Sequence, residues 1–311
     1  MKSIEELLEE YLNLHHRLGF KMVSAAYELR RFVRFVRQQG CSFITTQLAL
    51  EWATLSNRCQ PVMWSIRLGF VRRFAEYLSA VDSRTEVPPI GLLPHRHIRK
   101  PPYFYSDQEV ASLVRAAWRI PSPKGLRAAT YATLFGLIAV TGMRLGEALG
   151  LDLEDVDLER GLLMVRLAKS NKTRCLPIHA TTLAKLRQYR RLRDEAIPHS
   201  KCPSFLLSEQ DTRLTGWVAR RWFIILSRQI GLRRPSDHRG PRIHDLRHRF
   251  VIKTLCGWYR SGQDVEARLP ELATYLGHGH VRDTYWYISA TPELLLLATK
   301  RLEGQSRKET S

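Results

Sequence analysis

The chain has 311 residues, long enough for two domains of ordinary size. Its 49 Lys and Arg outnumber 30 Asp and Glu, a formal net charge of +19, and a chain so basic calls for a polyanionic partner. An acidic, amphipathic start (Lys2-Ser3-Ile4-Glu5-Glu6) argues against a signal peptide, and the longest apolar run, about Leu134 to Val140, falls short of the ~20 residues of a membrane span. Five scattered cysteines with no CxxC pair argue against a disulfide framework or a zinc site, so a cytoplasmic setting is expected.

In chain order, Ser3 and Glu6 make a capping box, and Ile4, Leu7, Leu8, Tyr11 and Leu12 follow helical spacing. Further helices are predicted from about Val23 to Val36, around Thr46 to Trp52 and from about Trp64 to Leu78. In the last of these, Ile66, Phe70, Phe74 and Leu78 recur every four residues as the apolar stripe. Arg67, Arg72 and Arg73 lie elsewhere on it, either as a solvated face or as a DNA-facing one. Pro88-Pro89 and the stretch from Pro94 to Pro102, with Arg96, Arg99 and Lys100, disfavour helix and sheet alike and mark a basic linker at about 82–102. It either follows a phosphate backbone or merely solubilises the chain. Ser106-Asp107-Gln108-Glu109 opens a new helix with a second capping box, which puts a domain boundary near residue 103.

Beyond that boundary the pattern is mostly helical, with Leu134 to Val140 as a buried helix. Gly161 to Leu167 and Thr173 to Ile178 read as two strands joined through Lys169-Ser170-Asn171-Lys172, with Lys169 at or near the hairpin tip. Between Thr212 and Arg260 there are twelve Lys or Arg and only two acids, Asp237 and Asp245. The apolar run Leu294 to Leu297 follows, and the tail from Gln305 to Ser311 is polar, with disorder expected there.

His244 and Arg247, at i and i+3, share a helix face, with Leu246 and Phe250 anchoring the other side. Taken alone such a pair is an ordinary surface feature. His244 and His248 have the spacing of a metal-binding pair, yet Asp245 stands where HExxH has Glu, and a third ligand is not evident, so no metal is expected. Arg144 and Glu147, just after Thr141-Gly142, form either a plain intrahelical ion pair or a guanidinium fork aimed at a phosphate. His278 follows Leu276-Gly277, and Tyr287 sits in Tyr285-Trp286-Tyr287-Ile288, where core packing is the alternative fate of the ring.

Singly these features are weak, but their order is specific. Thr141 to Leu149, Arg242 to His248, Leu276-Gly277-His278 and Tyr287 nine positions further on together resemble the tyrosine recombinases, the phage-integrase family of DNA strand-exchange enzymes. The resemblance supplies Arg144, Lys169, His244, Arg247, His278 and Tyr287, with Lys172 and Tyr285 as rivals for the lysine and tyrosine roles. It covers about residues 105 to 300 by motif and the N-terminal part by architecture alone. One departure is the segment between the His-x-x-Arg helix and Leu276, which contains Cys256 to Gln263 and is longer than the family's usual connection.

The resemblance implies a mainly α fold with a small β-hairpin or sheet, in two domains. These are a helical core-binding domain (1–102) and a mixed α/β catalytic domain (103–304), followed by a polar tail (305–311). It implies a site-specific recombinase that breaks and rejoins DNA through a covalent 3′-phosphotyrosine. Arg144 and Arg247 would neutralise the phosphate, His278 would add a hydrogen bond, and Tyr287 would attack. A phenol ordinarily titrates near pH ~10, so Tyr287 must lose its proton during attack; His244 is the expected acceptor and Lys169 the expected acid for the leaving 5′-oxygen. No metal or other cofactor is implied. The implied partners are double-stranded DNA and a homotetramer on two DNA sites, or an assembly with related recombinases, with no membrane. Leu294 to Leu297 would dock on a neighbouring protomer, or else pack into their own domain. Competing readings are a type IB topoisomerase-like nicking-closing enzyme, a catalytically inactive DNA-binding protein and an RNA-binding accessory protein.

Overall fold

At Ser3 and Ser106 the hydroxyl accepts from the backbone N–H three residues on, while Glu6 and Glu109 accept from the serine's own N–H, so both predicted capping boxes form. The computed structural model describes residues 2–56, 59–94, 102–166, 173–237, 239–285, 287, 293–297 and 299. Two units divide the chain, Met1–Lys100 and Pro101–Ser311.

Among the described residues the first unit holds four helices: α1 (Ile4–Arg17), α2 (Val23–Gln38), α3 (Thr46–Thr54) and α4 (Pro61–Ser79). Their apolar faces close on one core that includes Leu12, Leu29, Phe32, Val36, Trp52 and Phe74. The expected stripe on α4 is corrected. Ile66 is 42% exposed, and the buried set is Leu68, Val71, Phe74, Ala75 and Leu78. A strict four-residue step overshoots the 3.6-residue turn by ~40° each time, so three steps carry the stripe a third of the way round the helix. Two of the three arginines on α4 also have structural duties. Arg67 lies 3.4 Å from Glu28 and over the Trp52 ring, and Arg72 donates to the carbonyls of Pro88 (2.8 Å) and Pro89 (3.1 Å). Residues 95–101 of the expected linker lie outside the described residues.

The second unit opens with α5 (Asp107–Trp118) and α6 (Leu126–Thr141). Most of α6 is buried, as its apolar run requires, and it packs against α5, α8 and α10. After α7 (Leu145–Gly150) come three antiparallel strands in the order β1 (Val156–Asp157), β2 (Leu162–Arg166) and β3 (Thr173–Pro177). The two predicted strands are β2 and β3, paired with Arg166 opposite Thr173; β1, two residues long, leaves no periodicity to read. Lys169 and Lys172 lie outside the described residues. Helices α8 (Ala180–Ala196), α9 (Gly216–Gln229), α10 (Ile243–Arg260), α11 (Val265–Leu276) and α12 (Arg282–Tyr285) follow, and residues 293–297 are helical as well. The long stretch after the His-x-x-Arg motif is mostly helix, since α10 continues to Arg260 before a turn at Ser261-Gly262.

Two helix ends need glycine. Gly142 closes α6 at φ +65°, and a Cβ there would stand 2.5 Å from the Phe250 ring. Gly277 closes α11 at φ +66°, where a Cβ would meet the Arg174 guanidinium at 2.5 Å. Both ends deliver carbonyl oxygens to the cleft described next. Leu294 is fully buried and Leu297 partly so, both packed with Val251, Leu272 and Tyr287, whereas Leu295 (49%) and Leu296 (62%) face solvent. Among the described residues no helix is long and apolar enough to cross a membrane.

Candidate active site

The first turn of α10 is set by Asp245, which is buried and accepts from the backbone N–H (2.8 Å) and the guanidinium (2.8 Å) of Arg242. Leu246 is fully buried and Phe250 stacks on Tyr275, and this fixes the helix's rotation. Arg247 thereby turns inward and is only 1% exposed. Its guanidinium donates to the carbonyl of Gly142 at the end of α6 (2.7 Å) and to that of Leu276 at the end of α11 (2.8 Å). Among the described residues no carboxylate lies within ion-pair distance of it. Burial, together with the positive charge of Arg144, brings its pKa down to about 10, so it stays cationic at neutral pH.

Arg144 approaches from the start of α7. Its backbone N–H and Nη1 both bind Glu147 (2.9 and 2.8 Å), and Nη2 donates to the Gly277 carbonyl (3.1 Å). The two arginines therefore bond to adjacent carbonyls at the end of α11. It is the carboxylate of this pair that is buried: the Glu147 side chain is 8% exposed and that of Arg144 40%, open to the cleft. Burial alone would raise the Glu147 pKa, but the bonds from Arg174 and Arg144 outweigh it and leave the carboxyl below its usual range.

Arg174, not foreseen from the sequence, binds the other side of Glu147 (Nη2–Oε2 2.7 Å) and donates through Nε to the Tyr275 carbonyl (2.8 Å). It ties β3 to both α7 and α11. A signal for it did exist: Arg174 shares a strand face with buried Leu176 and pairs across the sheet with buried Val165, so a cation occupies the inward face of a strand.

His278 follows Gly277, and its Nδ1 lies 2.8 Å from the hydroxyl of buried Thr284. Burial, then the charges of Arg247 and Arg144, push its pKa down to about 4, which keeps it neutral near pH 7. Its ring lies parallel to that of Tyr287, 6.4 Å away. Tyr287 is 3% exposed, and its hydroxyl is 2.9 Å from Nδ1 of His248. The histidine bonded to the phenol is thus His248, one turn beyond the expected His244. Burial and the neighbouring His244 bring the pKa of His248 down to about 4. His244 sits at the solvent-facing rim, its ring edge-on to His248 at 4.6 Å; its pKa is lowered by partial desolvation and by Arg247. Tyr285, the rival tyrosine, is 48% exposed. Arg144, His244, Arg247, His278 and Tyr287 are brought together; Lys169 is outside the described residues. The guanidiniums of Arg144 and Arg174 both bond the buried carboxylate of Glu147, and nearby Arg247 adds a third positive charge, so this part of the cleft carries excess positive charge.

Three comparisons bear on this arrangement. Residues 104–293 match the model of the phage integrase family. The Sinorhizobium fredii protein y4rB, provisionally named an integrase/recombinase, is 44% identical over the full length of both chains. The tyrosine recombinase XerC of Natranaerobius thermophilus is 31% identical over 71% of this chain and 69% of its own length. Among solved structures, the Tn1549 transposon integrase in complex with transposon right end DNA shares the fold with a TM-score of 0.66 at 15% identity, covering 97% of this chain and 100% of that one. A buried arginine, a carboxylate-held arginine and a histidine-bonded tyrosine meeting at the ends of α6 and α11, on a chain matched over these residues, lead to one conclusion: the protein is a member of the phage integrase family, a tyrosine recombinase.

Proposed function

We propose that the chain is a site-specific DNA recombinase that breaks and rejoins strands through a covalent 3′-phosphotyrosine, serving DNA integration, excision or transposition. The observation that carries this reading is Arg247, a buried cation with no carboxylate in ion-pair reach among the described residues, facing the same cleft as Arg144. A buried charge left without a counter-ion is costly, and a phosphodiester oxygen is the anion that the guanidinium geometry suits.

Arg144 and Arg247 bracket the two non-bridging oxygens, and His278 and His244 add hydrogen bonds to the phosphate. Tyr287 attacks phosphorus in line, and the P–O5′ bond breaks as Lys169 protonates the departing 5′-oxygen. The phosphotyrosine conserves the energy of the broken bond, so a partner strand's 5′-hydroxyl can reverse the step without another energy source. Residues 103–304 form the catalytic domain, while residues 1–102 form the core-binding domain and its basic linker, which grip the duplex. Leu295 and Leu296, exposed on the far side from buried Leu294, are suited to a neighbouring protomer in a tetramer on two DNA sites.

A nicked suicide substrate provides the test. Wild type should leave a denaturant-resistant DNA adduct that maps to Tyr287; Tyr287→Phe should bind DNA and form none, while Tyr285→Phe should behave as wild type. An adduct that persists in Tyr287→Phe would overturn the assignment. DNA affinity should also fall by about 10³-fold between low and moderate salt if six or more phosphates are contacted.

A further inference from the structure

The phenol of Tyr287 has a specific partner. Its hydroxyl is 2.9 Å from Nδ1 of His248, and the two ring centroids are 5.3 Å apart. His248 lies one helical turn beyond His244 and directly follows the buried Arg247, so it is carried on the element that would hold the phosphate. Tyr287 in turn is packed among Val251, Leu255, Leu272 and Leu276, so its ring has little freedom to swing to another partner.

We propose that His248, rather than His244, is the group that takes the proton of Tyr287 during attack. As the bond from Tyr287 Oη to phosphorus forms, the phenolic O–H bond breaks and its proton passes to Nδ1 of His248, while the P–O5′ bond breaks and the 5′-oxygen receives a proton from Lys169. In rejoining, the incoming 5′-hydroxyl passes its proton to the now neutral Lys169 as it attacks phosphorus, the bond from phosphorus to Tyr287 Oη breaks, and His248 returns the first proton to the departing Tyr287. No oxidant, metal or further co-reactant is needed.

The electrostatics suit such an acceptor. In the free protein, burial, His244, Arg242 and Arg247 together outweigh the opposing pull of Asp245 and hold the pKa of His248 down at about 4, so its ring is neutral near pH 7. A phosphodiester bound at Arg247 adds a negative charge that opposes part of this field. The ring therefore becomes a stronger base when the substrate is in place.

This inference rests on Tyr287 being the nucleophile, and the experiment separates the two claims. Full-length protein carrying His248→Asn keeps a hydrogen-bond acceptor close to the position of Nδ1 but has nothing that can hold the proton. Adduct formation on the suicide substrate should fall by about 10²–10⁴-fold, with DNA binding in a gel shift unchanged. Replacing Tyr287 by a polyfluorinated tyrosine, whose phenol is already ionised near neutral pH, removes the need for an acceptor. It should restore the rate of His248→Asn to within about tenfold of the fluorinated wild type, which a merely structural role would not allow. The same replacement should not rescue His244→Asn. A His248→Asn protein that cleaves at the wild-type rate, a defect that the fluorinated tyrosine leaves in place, or rescue of His244→Asn in its stead would each overturn the proposal. An adduct that maps to a residue other than Tyr287 in wild type would instead bring down the nucleophile assignment, and this inference with it.

Discussion

The N-terminal helical unit and the cleft of the second unit are built on opposite principles. Among the described residues, every buried Asp or Arg (Asp155, Arg193, Arg233, Asp245, Arg247) belongs to the second unit, whereas the residues buried in the first are apolar apart from Thr85. Apolar burial stabilises wherever it occurs, at roughly 25 cal/mol per Å². A buried cation costs desolvation and repays it only where a partner is present. The first unit is thus organised for stability, and the cleft retains a charge that a purely structural design would discard.

The comparison can be tested by comparing stability with activity. The largest stability effect is expected from Phe74→Ala in the first core, about 3–5 kcal/mol by urea unfolding, because the ring is fully buried and leaves a cavity. Arg247→Met should reverse the balance. Strand cleavage should fall about 10²–10³-fold, while unfolding free energy changes by less than about 2 kcal/mol, as lost bonds to two carbonyls are offset by relief from burying a charge. If Arg247→Met unfolds the protein as readily as Phe74→Ala, the cleft is no different in kind from the core.

Glu147→Gln should cost an intermediate amount, about 1.5–3 kcal/mol at neutral pH, since it weakens charged bonds to both Arg144 and Arg174. The pH dependence has a definite sign. The folded pKa of Glu147 lies below the ordinary glutamate value of 4.5, so its contribution is complete above that value and is lost as the pH falls through the folded pKa. Wild type and Glu147→Gln should therefore converge in stability on acidification, and a gap that widens towards low pH would contradict the network. The smallest effect is expected from Leu296→Ala, within about 0.5 kcal/mol for the isolated chain because the side chain is 62% exposed. Its cost should appear instead in cooperative binding to paired DNA sites; no change in cooperativity would remove these leucines from the assembly surface.

Several features could be read locally because local physics decides them. The capping boxes at Ser3 and Ser106 depend on residues three apart, and strands β2 and β3 on alternation over a few positions. The stripe on α4 was misplaced because a four-residue spacing only approximates the helical period, and which flank is buried depends on what α2 and α3 present to it. Arg174 was missed because its partners are Glu147, 27 residues away in sequence, and the carbonyl of Tyr275, 101 away. His248 was read only as half of an unconvincing metal pair, since its tie to Tyr287 spans 39 residues.

The sequence by itself determined the family, the order of the arginines, histidines and tyrosine, and the helical frame that carries them. Spacing along one helix dictates which side chains share a face. Tertiary structure alone decided which of those groups meet. It buried Arg247 between two helix ends closed by Gly142 and Gly277, opened Arg144 to the cleft by burying Glu147 instead, and gave the Tyr287 phenol to His248 rather than His244. Those outcomes follow from how α6, α10 and α11 pack, and packing depends on contacts between residues far apart in the chain, which no local pattern encodes.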